Sequence, residues 1–298
     1  MTRLPTLALT VGDPSGIGPE IAAAAAADPR VIAVCRPVLY GPTKPDDLEP
    51  YPVGVVNATS GLRAYDEIVR AVEDCGLGRV DGMVTAPINK AAFAAAGLPW
   101  KGHTDLLAHL CGVPDVGMLF WSDTLRVVLA TVHIPLAEVP AALTRERLLA
   151  VIRLTSHSLP QFGIAAPRVA VTGLNPHAGE DGLLGGEELL TITPAIADAR
   201  ADGIDVYGPF PADTIFVRAA RGEFDVVVAC YHDQGLIPVK LLAFGHSVNV
   251  TIGLPIIRTS VDHGTAFDSA RQGKADPGSM VEAILLAAKL ATGRLSQQ

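Results

Sequence analysis

Residues 224–235, FDVVVACYHDQG, are the clearest indication of the fold class. It is apolar on successive residues from Val226 to Ala229, without polar alternation, and becomes polar at His232. Strands that are buried on both faces have such continuous apolar runs, and they are typical of parallel sheets covered by helices. The stretch therefore predicts a buried strand of an α/β layer fold, with polar residues beyond its carboxyl end.

Similar apolar runs alternate with helical patterns along the whole chain. The predicted strands are residues 7–11, 31–40, 82–86, 125–132, 168–173, 224–231 and 247–253. The predicted helices are residues 19–27, 61–75, 90–96, 104–111, 144–159, 191–202 and 280–291. This alternation indicates an α/β fold. Because no repeat or linker interrupts it, we expect two domains that share a continuous α/β scaffold.

The composition supports a large folded enzyme. The chain has 298 residues, of which 49% are hydrophobic and 18% charged, and its mean hydropathy is +0.34. These values exclude a disordered chain and predict one large or two moderate domains. The net charge of −8 argues against a protein that coats nucleic acid.

Cysteine usage and the absence of targeting signals predict a cytoplasmic protein. The four cysteines form no CxxC pair, which favours a reducing compartment. The first apolar run is broken by Gly12, Asp13 and Pro14 and does not resemble a signal peptide. No apolar stretch is long enough to span a bilayer, so we expect no membrane partner.

Three histidines come just after predicted strands. His133 follows LRVVLATV, His177 follows RVAVTGLNP, and His232 follows FDVVVACY. Ligands of open α/β sheets collect at the carboxyl ends of strands, and three imidazoles there could hold a divalent metal with positions open for substrate. The alternative is that each histidine caps backbone carbonyls or lies half-exposed.

The glycine-rich loop GDPSGIGPE, residues 12–20, joins the first strand to the first helix. Its backbone NH groups could approach an anion, although an ordinary tight turn explains the loop equally well. Neither GxGxxG nor GxxxxGK[ST] occurs in the chain, which disfavours a Rossmann nucleotide site.

Two further segments suit an anionic substrate. His103 and Thr104 begin a helix in GHTD, where Thr104 could instead be an ordinary cap. Lys240 lies among apolar neighbours in PVKLLAF, and Arg258 follows TIGLPII, with Asn249 between them in the chain. A structural ion pair or a snorkelling side chain would explain each cation separately. Together, the two cations favour a phosphate or carboxylate pocket.

Taken in order, these segments resemble the 4-hydroxythreonine-4-phosphate dehydrogenase family of pyridoxal phosphate (vitamin B6) biosynthesis. The matching stretches run from residue 10 to residue 280 and are TVGDPSGIGPEIA, TAPINKAAFAAAGLPWKGHTD, ATVHIPL, GLNPHAGEDGLLGGEE, GPFPADTIF, ACYHDQGLIPVKLLAFGHSVNVTIGLPIIRTSVDHGTAFD and ADPGSM. The chain is shorter than family members between Tyr40 and Gly61, which affects no motif.

The resemblance implies a fold like that of isocitrate and isopropylmalate dehydrogenases, with two α/β domains and an active-site cleft between them. The first domain is expected to comprise residues 1–100 and 260–298, and the second residues 101–259. Members of the family are homodimers whose metal site is shared across the interface, so isolated monomers are expected to be inactive.

The resemblance also implies site residues. Metal ligands fall on His133, His177 and His232, and the metal is expected to be zinc, cobalt or magnesium. Substrate contacts fall on His103, Thr104, Lys240, Asn249 and Arg258. Asp213 matches an active-site acid and, with Lys240, is a candidate for proton transfer, since a desolvated lysine has a depressed pKa. NAD contacts are expected at His263, Gly264, Thr265 and Asp276.

The reaction implied is the NAD-dependent oxidation of 4-hydroxy-L-threonine 4-phosphate, followed by decarboxylation to 3-amino-2-oxopropyl phosphate. One alternative is a paralogue that acts on D-threonate or D-erythronate 4-phosphate, or on a cyclic dihydrodiol dicarboxylate. His103, Thr104 and Lys240 favour a substrate that carries phosphate. A non-catalytic metal- or nucleotide-binding protein would have lost a ligand or a pocket cation, and none is missing here.

Overall fold

A computed structural model describes residues 3–295 of the chain. Its strands are β1 (Thr6–Thr10), β2 (Arg36–Tyr40), β3 (Gly82–Thr85), β4 (Gly117–Trp121), β5 (Arg126–Leu129), β6 (Val169–Thr172), β7 (Val206–Phe210), β8 (Val226–Ala229), β9 (Val248–Ile252) and β10 (Arg258–Ser260). Its α-helices are α1 (Gly18–Ala26), α2 (Pro29–Ile32), α3 (Pro45–Leu48), α4 (Ala58–Gly76), α5 (Lys90–Ala95), α6 (His103–Cys111), α7 (Val139–Ala142), α8 (Arg145–Ser158), α9 (Thr193–Ala201), α10 (Ala212–Ala220), α11 (His232–Ala243) and α12 (Gly278–Leu295). The α/β class is confirmed.

The chain divides into two compact units. Unit 1 comprises the chain up to Val116 and from Val248 onwards, and unit 2 comprises Gly117–Ser247. The division expected from the sequence differs, because it assigned residues 101–116 and 248–259 to the second domain. In the structure α6 packs on α4 of unit 1. Strand β9 pairs with β10, which in turn pairs with β3 of unit 1. Residues 1–2 and 296–298, which the expected first domain included, lie outside the described residues.

Unit 1 contains a mostly parallel sheet in the order β2-β1-β3-β10-β9. β1 lies parallel to β2 and β3, β10 lies parallel to β3, and β9 is antiparallel to β10. One face packs against α4, α5 and α6 through a core that includes Ile68, Phe93 and Leu106. On the other side α1 and α12 contact each other, and α12 contacts β3, β9 and β10. This double cover explains the absence of polar alternation in strands such as β1.

Unit 2 repeats this architecture with the strand order β4-β5-β8-β6-β7. β5, β8, β6 and β7 run parallel, while β4 is antiparallel to β5. α10 and α11 cover one face, where Ile215, Phe216, Leu236 and Val239 are buried against the strands. α8 contacts β4 and β5, and α9 contacts β7. Parallel neighbours bring the carboxyl ends of β5, β8 and β6 to one edge of this sheet.

The elements differ from the predicted ones in three respects. Of the strand predicted over residues 31–40, only Arg36–Tyr40 is a strand, because Asp28 accepts a hydrogen bond from the Arg30 amide and caps α2. The helix α11 was not predicted after the strand at residues 224–231. Strands β4, β7 and β10 and helices α2, α3, α7 and α10 were also missed. Glycine and proline interrupt β7, β10 is polar, and α2, α3 and α7 are only four residues long.

None of the helices within residues 3–295 combines the length and the apolar character needed to cross a bilayer.

Candidate active site

The three strand-end histidines lie at the carboxyl edge of the unit 2 sheet. His133 comes four residues after β5, His177 five residues after β6, and His232 is the first residue of α11, just beyond β8. His133 and His177 both have positive φ, at 48° and 54°. Such backbone is uncommon for residues with a Cβ and concentrates at functional sites.

His133 and His232 lie beside each other. Their ring centroids are 5.4 Å apart, with the ring planes tilted by 42°. Gly235 permits this approach, because a Cβ on it would lie 2.7 Å from Cδ2 of Leu129 and 2.8 Å from Cγ1 of Val127. The first turn of α11 therefore presses directly on β5, and this brings the two imidazoles together.

His177 lies in an exposed turn and pairs with a carboxylate. Its Nδ1 is 2.5 Å from Oε1 of Glu180, which raises the pKa of His177, and Asp213 raises that pKa further. Nδ1 of His232 is likewise 2.7 Å from Oδ1 of Asp233. Carboxylates at one ring nitrogen orient the imidazole and leave Nε2 as the donor atom, an arrangement common to metal-binding histidines.

The donor set of unit 2 fits a divalent metal in chemistry but is incomplete in one chain. The adjacent imidazoles of His133 and His232 are nitrogen donors of the kind that zinc and cobalt prefer. Across residues 3–295, however, no three His, Cys, Asp or Glu side chains come close enough together to hold an ion. The structure thus brings together two of the three histidines, and His177 lies apart from them.

Asp213 and Lys240 are both exposed. Asp213 is in the first turn of α10, and Lys240 is near the end of α11. Lys240 is exposed in the single chain, because α11 buries Leu236, Val239 and Ala243 and turns position 240 to solvent.

Arg258 is the central cation of unit 1. It is 3% exposed, and its Nη1 and Nη2 donate to the hydroxyls of Thr251 and Thr85 at 2.8 and 2.7 Å. Its buried Nε has no hydrogen-bond partner. Burial lowers the pKa of this guanidinium to about 9. Because its two side-chain partners are neutral hydroxyls, its charge is available to an anion.

Other buried polar atoms of unit 1 also lack partners. Nε2 of His103 and Oδ1 of Asn249 are buried without a hydrogen bond. Burial, and then the charge of Arg258, lowers the pKa of His103 well below its ordinary value, so the imidazole is neutral. Thr104 does not cap α6, whose N-cap is Gly102 with no side-chain hydrogen bond. Buried polar atoms without partners are rare, and at such a place they indicate a ligand.

The residues expected to contact NAD lie on the loop between β10 and α12. His263, Gly264 and Asp276 are exposed, Thr265 is half-buried, and a Cβ on Gly264 would meet open space. This arrangement leaves room for a cofactor along the loop. Oδ1 of Asp276 also accepts from the Gly278 amide at the start of α12, at 2.8 Å.

Arg271 joins that loop to two others, and sequence reasoning missed it. Its Nη2 donates to the carbonyl oxygens of Pro14, Leu48 and Tyr51 at 3.2, 3.0 and 2.8 Å. The Ile17 amide also donates to the Thr265 carbonyl at 3.0 Å. The glycine-rich loop of residues 12–20 thus supports the expected cofactor loop. Sequence spacing gave no signal for Arg271, because its partners are carbonyls distant in the chain.

An apolar face surrounds a cavity in unit 2. The cavity has a volume of ≈ 580 Å³ and lies between α10 and α11. Four large apolar side chains on its lining are exposed, and we call them the α10–α11 face: Val217, Ile237, Leu241 and Leu242. Asp213 and Asp233 also line this cavity, so the face adjoins the histidine edge of the sheet.

Comparison with known proteins identifies a family. The family described as "Pyridoxal phosphate biosynthetic protein PdxA" matches residues 20–287. A 4-hydroxythreonine-4-phosphate dehydrogenase of Desulforapulum autotrophicum is 45% identical, with 97% of this chain and 96% of the relative covered. A D-threonate 4-phosphate dehydrogenase of Cupriavidus necator is 42% identical, with 98% of each chain covered.

Solved structures agree with these matches. The crystal structure of 4-hydroxythreonine-4-phosphate dehydrogenase from Klebsiella pneumoniae has a TM-score of 0.87 and 39% identity, over 96% of this chain and 99% of that one. A β-decarboxylating dehydrogenase from Thermococcus kodakarensis has a TM-score of 0.53 at 17% identity, over 95% of this chain and 82% of that one, and shows a shared fold only.

Proposed function

The chain belongs to the PdxA family, and from that premise we propose that it oxidises 4-hydroxy-L-threonine 4-phosphate with NAD. The substrate loses a proton from its hydroxyl oxygen and a hydride from the carbon that bears this hydroxyl. The resulting β-keto acid then loses carbon dioxide and yields 3-amino-2-oxopropyl phosphate. The near full-length similarity to a 4-hydroxythreonine-4-phosphate dehydrogenase supports this substrate.

The observation that carries the proposal is the buried Arg258 with its neutral partners. The guanidinium is held by two threonine hydroxyls, and unpartnered polar atoms of His103 and Asn249 are buried in the same unit. A buried cation without a counter-charge is costly unless an anion joins it. A substrate that carries both a phosphate and a carboxylate supplies such an anion.

In this proposal unit 1 binds the charged groups of the substrate. Arg258 offers a directed pair of NH donors, and Thr104 contributes a hydroxyl from the start of α6. The neutral imidazole of His103 is either a donor or an acceptor there, since its pKa is held low by burial. Asn249 would accept or donate through its carboxamide.

Unit 2 supplies the groups that act on the reacting carbon. A divalent metal held by His133, His177 and His232 would act as a Lewis acid on the substrate oxygen. Asp213 and Lys240 are the candidates for moving the hydroxyl proton. Because Lys240 is exposed in the described chain, its use as a base requires that it be covered when the site is assembled.

We further propose that NAD binds along the loop that carries His263, Gly264, Thr265 and Asp276. Bound NAD would accept the hydride. The contacts of Arg271 and Ile17 keep this loop against residues 12–20, which supports a preformed cofactor surface.

The proposal includes a homodimer. The α10–α11 face exposes Leu241 at 82% and Ile237 at 65% beside the ≈ 580 Å³ cavity. Large exposed apolar patches mark protein interfaces. A second copy on this face would lie next to the incomplete histidine set, which supports a metal site shared by two subunits.

The second candidate substrate is D-threonate 4-phosphate. The similarity to the Cupriavidus necator enzyme is nearly as high and covers 98% of each chain. That substrate keeps the phosphate and the carboxylate and lacks the amino group, so Arg258 and His103 serve both reactions equally well. D-Threonate 4-phosphate carries a hydroxyl where 4-hydroxy-L-threonine 4-phosphate carries its amino group. The side chains that face this position therefore decide between the two substrates.

An assay that compares three substrates tests the proposal. Purified protein with added zinc or cobalt is mixed with NAD and, in parallel, with 4-hydroxy-L-threonine 4-phosphate, D-threonate 4-phosphate and D-erythronate 4-phosphate. We expect NADH absorbance at 340 nm to rise fastest with the amino substrate, together with release of carbon dioxide. A higher kcat/KM for D-threonate 4-phosphate would replace the proposed substrate with the second candidate.

A further inference from the structure

The turn that carries His177 has a backbone that L-residues rarely adopt. Five successive residues, from His177 to Asp181, have positive φ, at 54°, 54°, 82°, 42° and 54°. Only Gly179 among them lacks a Cβ. Left-handed backbone brings Cβ close to the following carbonyl oxygen, so single residues adopt it and runs of residues do not. A group outside the turn must therefore hold it in place.

The carboxylate of Glu188 makes contacts that hold the turn in place. Glu188 is 2% exposed, and its Oε1 accepts from the backbone amides of Leu174 and Asn175 at 2.8 and 2.7 Å. Its Oε2 accepts from Nδ2 of Asn175 at 2.9 Å. All three donors belong to the two residues that lead into Pro176 and the turn. Hydrogen bonds to an ionised acceptor are the strong ones, and burial strengthens them further.

Glu188 also occupies the space inside the turn. A Cβ on Gly179 would lie 2.6 Å from Oε2 of Glu188, and a Cβ on Gly173 would lie 3.1 Å from Oε1. The backbone before the turn and the middle of the turn therefore both approach one carboxylate. The Glu188 side chain thus accepts the hydrogen bonds of the amides that precede the turn, and it also fills the space inside the turn.

We propose that Glu188 is a positioning residue whose carboxylate holds residues 174–181 in this left-handed turn and so aims His177. The proposal rests on the proposed function, because the direction of the imidazole matters only if His177 is a metal ligand. Neither the charge nor the protonation of His177 enters the argument. The contribution of Glu188 is geometric, and it precedes any metal.

The neighbouring Glu187 provides a matched control. Its Oε2 accepts from the same Nδ2 of Asn175 at 2.7 Å, but it contacts neither backbone amide and is partly exposed. Glu188→Gln replaces one buried carboxylate oxygen with an NH2 group. This group is itself a donor and faces the NH donors of Leu174 or Asn175, so at least one of these hydrogen bonds is lost. Glu187→Gln makes the same chemical change where water can compensate.

The test uses the full-length protein after metal removal, with wild type, Glu188→Gln, Glu187→Gln and His177→Ala compared. Hydrogen exchange of the Leu174 and Asn175 amides reports on the turn, and zinc affinity is measured by competition with a chromophoric chelator. We expect Glu188→Gln to speed the exchange and to weaken zinc binding, each by about tenfold or more. Glu187→Gln should change neither by more than about threefold.

A rescue separates aiming from general stability. Ala178 has φ 54°, so Ala178→Gly removes one left-handed Cβ without touching a hydrogen bond to Glu188. The double variant Glu188→Gln/Ala178→Gly should recover part of the zinc affinity. If Glu188→Gln does not fold, Asn175→Ala is used instead. It deletes the Nδ2 contacts to Oε2 of Glu188 and Oε2 of Glu187 but keeps both amide contacts to Glu188, and should give a smaller change, about threefold, in both measurements.

The outcomes are distinguishable. If amide exchange is unchanged in Glu188→Gln, the proposal that Glu188 holds the turn is wrong. Faster exchange with unaltered zinc affinity overturns the aiming role, provided that His177→Ala binds zinc more weakly than wild type. If His177→Ala binds zinc as wild type does, the ligand role in the proposed function fails and aiming fails with it, while the exchange result still decides whether Glu188 holds the turn.

Discussion

At the scale of single residues, the chain buries ionisable groups in unit 1 that no ion pair fully compensates. Arg258 bonds to two threonines, and His103 has an unpartnered Nε2. Glu67 is 3% exposed and bonds to Arg63 through Oε1 at 3.0 Å, while its Oε2 has no partner. Such groups cost stability in the absence of a ligand. The proposed anionic substrate would compensate Arg258 and His103, whereas Glu67 lies on α4 and affects stability alone.

Arg258→Lys should impair the capture of substrate. The lysine keeps the charge but loses the planar pair of donors that the two threonines orient. We expect kcat/KM to fall by roughly 10- to 100-fold, corresponding to about 1.5–3 kcal/mol, mainly through KM. Steady-state kinetics with the phosphorylated substrate measure this. Arg30→Lys, at an exposed arginine of the same unit, is the control, and an unaltered kcat/KM in Arg258→Lys would remove Arg258 from the pocket.

Glu67→Gln should change how stability depends on pH. Burial raises the pKa of Glu67 from an ordinary value of 4.5 to about 8, against the opposing effect of Arg63. The folded protein therefore holds a proton that the unfolded chain releases between these values, so stability falls as pH rises from 4.5 to 8, by at most about 1.4 kcal/mol per pH unit.

Thermal unfolding of both proteins from pH 5 to pH 8.5 tests this prediction. Wild type should lose Tm relative to Glu67→Gln as the pH rises, with the gap largest at the alkaline end. Glu73→Gln, at an exposed position of the same helix, should show no such trend. A Tm difference between wild type and Glu67→Gln that stays constant across this range would contradict the assignment.

At the scale of elements, α11 decides which histidines meet. The helix begins at His232, and its Gly235 faces Leu129 and Val127 of β5 at distances that no Cβ tolerates. Gln234 adds hydrogen bonds to the Cys230 amide, the Thr172 hydroxyl and the Gly173 carbonyl, at 2.7, 2.7 and 2.8 Å. The start of α11 is thus attached to β8 and β6 while it presses on β5, and His232 is placed beside His133.

Gly235→Ala should move the start of α11 away from β5. We expect a loss of about 1–3 kcal/mol in the free energy of unfolding, together with weaker zinc binding, because the ring separation increases. Denaturant titration and chelator competition measure the two effects. Gly76→Ala, at a helical glycine of α4 with open space around it, should change neither. Zinc affinity equal to that of wild type in Gly235→Ala would show that the close approach does not serve the histidines.

At the scale of the whole molecule, each unit carries one part of the proposed chemistry. Unit 1 has the buried groups proposed to bind the anion and the expected cofactor loop, and unit 2 has the histidines and the α10–α11 face. Within residues 3–295, a complete metal-binding set is absent from the single chain. An exposed apolar face next to an incomplete set of ligands is the arrangement that a shared site would produce.

Leu241→Asp should prevent the association of two copies. Leu241 is 82% exposed and lines the cavity beside α10, so a carboxylate there makes burial of the face unfavourable. Light scattering after size-exclusion chromatography should show a monomer, with activity and zinc binding lost together. Leu77→Asp, at a 65% exposed leucine of unit 1, should remain dimeric and active. A dimeric, active Leu241→Asp protein would place the interface elsewhere.

The fold class, the family and the strand-end position of the three histidines could all be predicted from the order of residues along the chain. Burial on both faces leaves a local signature, the unbroken apolar run of strands such as β1 and β8. The helical 3–4 spacing of Leu62, Tyr65, Ile68, Val69 and Val72 likewise predicted a helix over residues 61–75, which lies within α4. Motif stretches identify the family because they are strings of neighbouring residues. Residues 31–40 were partly misjudged, since the capping of α2 by Asp28 outweighed a β-branched run.

Which of those residues meet, and which are buried, depends on how the elements pack. His133 and His232 are neighbours because β5 lies next to β8 in the sheet, and strand order is not written in any single segment. Lys240 is exposed because the buried stripe of α11 passes through Leu236 and Val239. Arg271 bonds to backbone carbonyls, and Glu188 bonds to the backbone amides of Leu174 and Asn175. Because every residue has these backbone groups, such contacts leave no signal in the sequence. Local patterns record what each segment buries, whereas sites form where distant segments converge, and that convergence is set by packing.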